Sequence, residues 1–196
     1  MTKNLRQKSD HGAYKIHIEA IMNKTFLLGG SMNILIVDDS KLNTKIACDA
    51  LLAYKLADEI TTCLSGEEAL EILEYSAVDL VLLDIIMPGL TGVDFLKILV
   101  ERELLKHTKV IMLTTIDDLQ ILRECFELGA VDYIHKPFNK IEFAVRVKSV
   151  LSEIETRKLL IHDKEQLILQ NKGLIQENNQ LKRINQILRE KQLSDY

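Results

Sequence analysis

Asp38-Asp39, Asp84, Thr114-Thr115 and Lys136-Pro137 lie far apart in the chain, yet each stands at the end of an apolar, β-branched run. Three carboxylates brought together without a cation repel and raise one another's pKa. A hard divalent ion removes that repulsion, and oxygen-only donors with room for water favour Mg2+. A carboxylate, a Mg2+ ion, a hydroxyl and an ammonium group around one point are the parts of a phosphoryl-transfer site. Taken singly, each group has a plainer reading. Asp38-Asp39 and Asp84 suit turns, Thr114 suits a β-branched strand end, and Lys136 suits a solvated surface. The plain readings weaken only jointly, since four strand ends would have to carry complementary chemistry by accident.

Residues so far apart in sequence need a scaffold that gathers them on one edge. Apolar runs occur at Asn33–Val37, Ile60–Cys63, Leu80–Leu83, Val110–Leu113 and Val131–Ile134. Segments with helical spacing lie between them, such as Leu42/Ile46/Ala50/Ala53 and Ala69/Leu70/Leu73. Near-continuous apolar strands alternating with amphipathic helices predict a parallel sheet covered on both faces. The expected fold is a doubly wound α/β domain over residues 32–150 with a five-stranded sheet. In such folds sites form at the carboxyl ends of the strands, where the four groups stand.

Composition narrows the function classes. With 47% hydrophobic and 28% charged residues, two prolines and eight glycines, the 196-residue chain is neither disordered nor low-complexity. No apolar run approaches the roughly 20 residues of a membrane span, so no membrane role and a cytoplasmic location are expected. Cys48, Cys63 and Cys125 are odd in number and scattered, which suits small hydrophobes in a reducing compartment. Residues 32–140 hold ten Lys/Arg and nineteen Asp/Glu, which argues against nucleic acid as a direct ligand of that segment. Residues 1–31 read as an N-terminal extension. Gly29-Gly30-Ser31-Met32 is what a purine-rich ribosome-binding site and a start codon would encode, so translation from Met32 is one expectation and a genuine flexible tail the other.

Residues 32–150 resemble a bacterial two-component response-regulator receiver domain. The matching stretches are Ile34-Leu35-Ile36-Val37-Asp38-Asp39-Ser40, Asp84-Ile85-Ile86-Met87-Pro88-Gly89-Leu90-Thr91-Gly92, Gly129-Ala130-Val131-Asp132-Tyr133 and Lys136-Pro137-Phe138. The resemblance implies that Asp84 accepts a phosphoryl group from a phosphohistidine on a sensor histidine kinase. It implies direct Mg2+ ligation by Asp39 and Asp84, Asp38 acting mainly through water, and the Ile86 backbone carbonyl as a further ligand. Thr114 would hydrogen-bond one phosphoryl oxygen and Lys136 would pair with another, with a cis peptide bond before Pro137. Tyr133 falls at the family's aromatic switch; ordinary strand packing is its alternative. Ile86, Thr115 and Ile116 stand where small or polar residues are frequent in the family, and this predicts slow loss of the phosphoryl group.

Past residue 150 the helical pattern continues without proline to about Leu193. Leu160, Leu167, Leu174, Leu181 and Leu188 repeat every seven residues; as d positions they make Lys164, Asn171, Asn178 and Asn185 the a positions. Ile161, Ile168 and Ile175 follow at e. Leucine at d with asparagine at a favours a parallel two-stranded coiled coil, because buried asparagines pair best with their own counterparts. The e-position isoleucines leave room for a higher oligomer, and a helix folded back on the receiver is the structural alternative. No helix-turn-helix or enzyme output signature follows, and direct DNA binding is not expected. The leading expectation is a signalling protein acting through its receiver surface and a homodimeric coil. A phosphorelay intermediate serving a histidine phosphotransfer protein, or the input half of a receiver-cyclase protein, are the alternatives.

Overall fold

The computed structural model describes residues 32–115 and 117–194, with side chains of the last helix described to Gln186 and at Arg189. The chain divides into two units after Ser152. In the first, strands β1 (Asn33–Val37), β2 (Glu59–Cys63), β3 (Leu80–Asp84), β4 (Lys109–Thr114) and β5 (Asp132–His135) form one parallel sheet. Its order is β2-β1-β3-β4-β5. The helices are α1 (Lys41–Ala53), α2 (Gly66–Tyr75), α3 (Gly92–Glu101), α4 (Leu119–Glu127) and α5 (Lys140–Ser194), with a 3-10 turn at Leu104–Lys106.

Burial follows position in the sheet. All five residues of β3 are buried, as befits a central strand covered on both faces. In β2, at one edge, only Cys63 is buried, and Thr61 and Thr62 use their β-branched shape on a surface that meets water. The apolar run expected there is thus an outer strand rather than a core one.

Each helix of the first unit that follows a strand starts on a polar cap. Ser40, Ser65, Thr91 and Asp118 accept hydrogen bonds from Asn43, Glu68, Asp94 and Gln120 N–H groups, respectively, satisfying donors left open in a first turn. At α2 the Glu68 carboxylate reaches back past the cap residue and accepts from Leu64 N–H at 3.1 Å, which ties the chain entering the helix to its first turn.

The inner face of α1 differs from the one its spacing predicts. Thr44, Ala47, Ala50 and Leu51 are buried, whereas Leu42 is 67% exposed and Ala53 is exposed. The small side chains of Ala47 and Ala50 can face the sheet closely, and this turns Leu42 outward.

The amino edge of the sheet is fastened by loop carboxylates and one hydroxyl. Asp58 Oδ2 accepts from Met32 N–H at 2.7 Å, and Asp79 Oδ2 accepts from Asn33 N–H at 3.0 Å. Buried Thr108 donates its hydroxyl to the Val78 carbonyl at 2.8 Å. The carboxyl edge is left for Asp38, Asp39, Asp84, Thr114 and Lys136.

In the second unit, residues 153–194 are helical. Leu160, Leu167, Leu174 and Leu181 are all exposed along it, as are Ile161, Ile168 and Ile175. A stripe of this kind on a single helix is unsatisfied apolar surface. Leu188 lies beyond the described side chains.

Candidate functional site

β1 runs out at Val37 and delivers Asp38 and Asp39 to the carboxyl edge. Asp38 has no exposed surface. Its Oδ1 accepts from Ser40 N–H at 2.9 Å and from Asn43 Nδ2 at 3.1 Å, and its Oδ2 accepts from Lys136 Nζ at 2.6 Å. Asp84, the last residue of β3, accepts on Oδ1 from Ile86 N–H at 3.2 Å. Its Oδ2 lies 2.6 Å from the same Lys136 Nζ. One ammonium group therefore bridges two buried carboxylates.

Lys136 is itself only 7% exposed. Lysine is almost never buried without a partner, so the surface-charge reading of this residue is excluded by its environment. Its backbone N–H donates to the Thr114 carbonyl at 2.7 Å, which ties the residue after β5 to the end of β4. The Lys136–Pro137 bond is cis. Thr114 is fully buried at the end of β4, one register step beyond the Asp84–Leu113 pair.

Asp39 is exposed, and it joins Asp38 and Asp84 in a cluster whose carboxylate oxygens lie within 4.8 Å of one another. Three carboxylates and one ammonium group leave a formal charge of −2. A divalent cation matches that charge, and an all-oxygen donor set open to water at Asp39 suits a hard ion such as Mg2+. Burial raises the Asp84 pKa from 3.8, outweighing the opposing pull of Lys136; Asp38 adds to the rise, and the Ile86 N–H opposes it.

The remaining sequence expectations fall around this centre. Ile86 borders the site through its N–H, with its side chain 55% exposed. Thr115 is exposed, and Ile116 lies outside the described residues. Tyr133 pairs with Met112 across β4–β5, is half-buried and meets Phe126 edge to face at 6.1 Å. The cysteines stand apart from the site. Cys63 and Cys125 are buried and Cys48 is half-buried, and burial, with Glu68 adding to it, pushes the Cys63 thiol up to about 12. Such a thiol is a packing group rather than a nucleophile.

Two participants escaped the sequence reading. Asn43 is a side-chain partner of Asp38, and its only signal was an amide in the first turn after an aspartate pair. Gly92 was quoted within a motif, but its role is spatial. A Cβ there would lie 2.2 Å from the Asp84 carbonyl oxygen.

Among the described residues no helix is long and apolar enough to cross a membrane. A family model described as "Response regulator receiver domain" matches residues 34–148, more than half of the chain. The chain is 33% identical over 162 residues to a probable transcriptional regulator of Cyanidium caldarium, covering 80% of this chain and 62% of that one. It is 34% identical over 151 residues to a probable cyclic di-GMP phosphodiesterase of Vibrio cholerae, covering 75% and 34%. It is 37% identical over 118 residues to the transcriptional regulatory protein CpxR of Escherichia coli, covering 60% and 48%. The chain thus spans less than two thirds of the length of these relatives. Among solved structures, the response regulator DrrB of Thermotoga maritima aligns with a TM-score of 0.56 at 32% identity, covering 63% of this chain and 54% of that one. The signal receiver domain of a Vibrio parahaemolyticus protein aligns at 0.62 and 22% identity over 67% of this chain and 98% of that one, a likeness of fold alone. This chain belongs to the response regulator receiver domain family of two-component systems.

Proposed function

We propose that this chain is a phosphorylation-controlled response regulator in which Asp84 accepts a phosphoryl group from a phosphohistidine of a sensor histidine kinase. The observation that supports it best is the Lys136 ammonium group, 2.6 Å from both Asp38 and Asp84 and buried with them. In the transfer the nitrogen–phosphorus bond of the donor breaks and an oxygen–phosphorus bond to the Asp84 carboxylate forms. The electron pair of the broken bond returns to the imidazole. Asp39 and Asp84 would hold Mg2+ directly, Asp38 through water, and the Ile86 carbonyl would complete the protein ligands. When bound, the ion would supply positive charge that offsets the negative charge of the carboxylates and of an incoming phosphoryl group.

The chain's own groups do the rest. Lys136, already beside Asp84, pairs with one phosphoryl oxygen, and the Thr114 hydroxyl donates to another. Tyr133, half-buried on the strand beside β4, changes its ring position in response to Thr114 and alters the surface of α4, β5 and the start of α5. Residues 32–150 form the receiver in this reading, residues 151–196 the coiled-coil output, and residues 1–31 an extension. In this reading the protein works in the cytoplasm, and the excess of acidic residues over 32–140 argues against nucleic acid as that segment's direct ligand.

Incubating the full chain with acetyl phosphate and Mg2+ tests this reading. One phosphoryl group per chain is expected by intact mass, and it should be sensitive to hydroxylamine as an acyl phosphate is. Absence of labelling overturns the reading. Ile86 beside Asp84 offers no polar group to orient an attacking water, so the label should persist for minutes or longer. Decay within seconds would contradict that expectation.

The output is pairing of the tail with a second copy in parallel. The exposed leucines at d and asparagines at a support it. In that register Glu177 faces Lys182 of the second chain. Light scattering on the full chain with beryllium fluoride should give about twice 22.4 kDa. Leu174→Lys places a charge in the middle of the seam and should return the mass to that of one chain. A dimer that persists in this variant places the interface elsewhere.

A further inference from the structure

Helix α1 opens on an arrangement that departs from the usual capping pattern. Ser40 is the cap residue, and its hydroxyl accepts from Asn43 N–H at 3.4 Å. Asn43 occupies the position three residues on, where a glutamate or glutamine commonly reaches back to the cap residue's own N–H. Here that N–H is taken by Asp38 Oδ1 at 2.9 Å. Asp38 fills the acid's role from the other side, and the Asn43 side chain is free to do something else. Its amide donates to the same Asp38 oxygen at 3.1 Å.

Asp38 is therefore held at both ends. Its Oδ1 carries Ser40 N–H and Asn43 Nδ2, and its Oδ2 carries Lys136 Nζ. Lys136 in turn spans to Asp84 at 2.6 Å. The chain of bonds runs Asn43–Asp38–Lys136–Asp84, from the first turn of one helix to the end of the central strand. The Asn43 amide donates to Asp38, not to Asp84. It acts through Asp38.

We infer that Asn43 is a positioning residue of the phosphoacceptor site, holding the Asp38 carboxylate so that Lys136 stays between Asp38 and Asp84. This rests on the function proposed above. Its chemistry explains why an amide stands there. A glutamate would satisfy the capping pattern but add a fourth carboxylate beside a centre already at −2. An alanine would leave the helix intact and leave Asp38 Oδ1 held by the Ser40 N–H alone. Asparagine gives a donor with no charge at a half-buried position on a short arm.

Asn43→Leu keeps the approximate shape, improves helix propensity and leaves the backbone N–H that caps on Ser40, so the fold should survive. Asn43→Gln restores an amide on a longer arm. Both are compared with the wild-type full chain in Mg2+ titration calorimetry, acetyl phosphate labelling and thermal melting. A hydrogen bond to a charged group is worth enough to predict about tenfold weaker Mg2+ binding and about tenfold slower labelling in Asn43→Leu. Asn43→Gln should recover much of both. The melting temperature of Asn43→Leu should fall by a few degrees through loss of this bond, while that of Asn43→Gln should stay close to wild type.

If Asn43→Leu binds Mg2+ and is labelled within about twofold of wild type, Asn43 is an ordinary helix residue and the inference fails. If both variants lose affinity and labelling together with melting temperature, the role is structural, and the inference fails again. A wild-type chain that neither binds Mg2+ nor accepts a phosphoryl group would instead sink the proposed function itself. That outcome is read before any variant is made.

Discussion

Asp84→Asn should abolish phosphoryl labelling completely, because the amide has no anionic oxygen with which to form an acyl phosphate. The same substitution should raise the melting temperature at neutral pH in the absence of divalent ions. Burial, reinforced by Asp38, lifts the Asp84 pKa from 3.8 in spite of Lys136 and the Ile86 N–H. Relative to the unfolded chain, the folded protein thus favours the protonated form. The stabilising effect of that preference is fully present below pH 3.8 and is lost as pH rises through the raised folded value. Asparagine keeps the shape without the charge, and its carbonyl can still accept from Lys136. The advantage of the variant should be greatest at neutral pH and should close as pH falls toward 3.8. Mg2+ should narrow it too, since an ion that binds the folded carboxylates stabilises the wild type by mass action. A variant that melts below the wild type at neutral pH in a chelator would show that the Lys136 bridge outweighs the cost of burial.

The second large effect belongs to Gly92→Ala, a change of one methyl group at the start of α3. The added Cβ would lie 2.2 Å from the Asp84 carbonyl oxygen and 2.9 Å from the Ile85 Cα. Both are backbone atoms, and the Ile85 carbonyl also accepts from Gly92 N–H at 3.0 Å, so nothing nearby can rotate aside. Relief requires the end of β3 to move relative to α3. Overpacking against a rigid backbone costs about 3 kcal/mol, a fall of roughly 10 °C for a domain of this size. Because the displaced residue is Asp84, labelling should slow as well. The contrast is Gly173→Ala in the tail, where a Cβ meets nothing within 4 Å. That change should stabilise the helix by up to about 1 kcal/mol. Chemical denaturation of the three proteins checks the pair; equal stability of Gly92→Ala and wild type would mean the strand end yields freely.

Much of the fold was legible because β1, β3 and β4 are buried on both faces and must be written in apolar residues. The strand ends were less so. Glu59, Lys109, Thr114 and His135 belong to their strands through backbone pairing, which hydrophobicity does not record. Asp84 was placed at a strand end by its neighbours, and it is the last residue of β3. The inner face of α1 was misread because Ala47 is as buried as any leucine, while Leu42 is exposed. At the site, the carboxylates and the lysine were visible as types at strand ends. Lys136 carries no sequence mark that separates a buried bridge from a surface charge, and the difference lies entirely in what folds around it. Asn43 and Gly92 were invisible for a related reason: one acts through an angle of approach, the other through a missing atom.

The two edges of the sheet carry different kinds of polar residue. Asp58, Asp79 and Thr108 fasten the amino edge by satisfying backbone groups, while at the carboxyl edge Asp38 and Asp84 share the Lys136 ammonium group between them. In the proposed reading, the residues that would do the chemistry stand on one rim and these backbone fasteners on the other, about one strand length apart. Descendants of such a chain can lose the chemistry and keep the scaffold, or re-tune how long a message lasts while leaving the foundations untouched. A receiver of this build is suited to copying: the same platform can be duplicated and each copy given its own memory span by changes at a single rim.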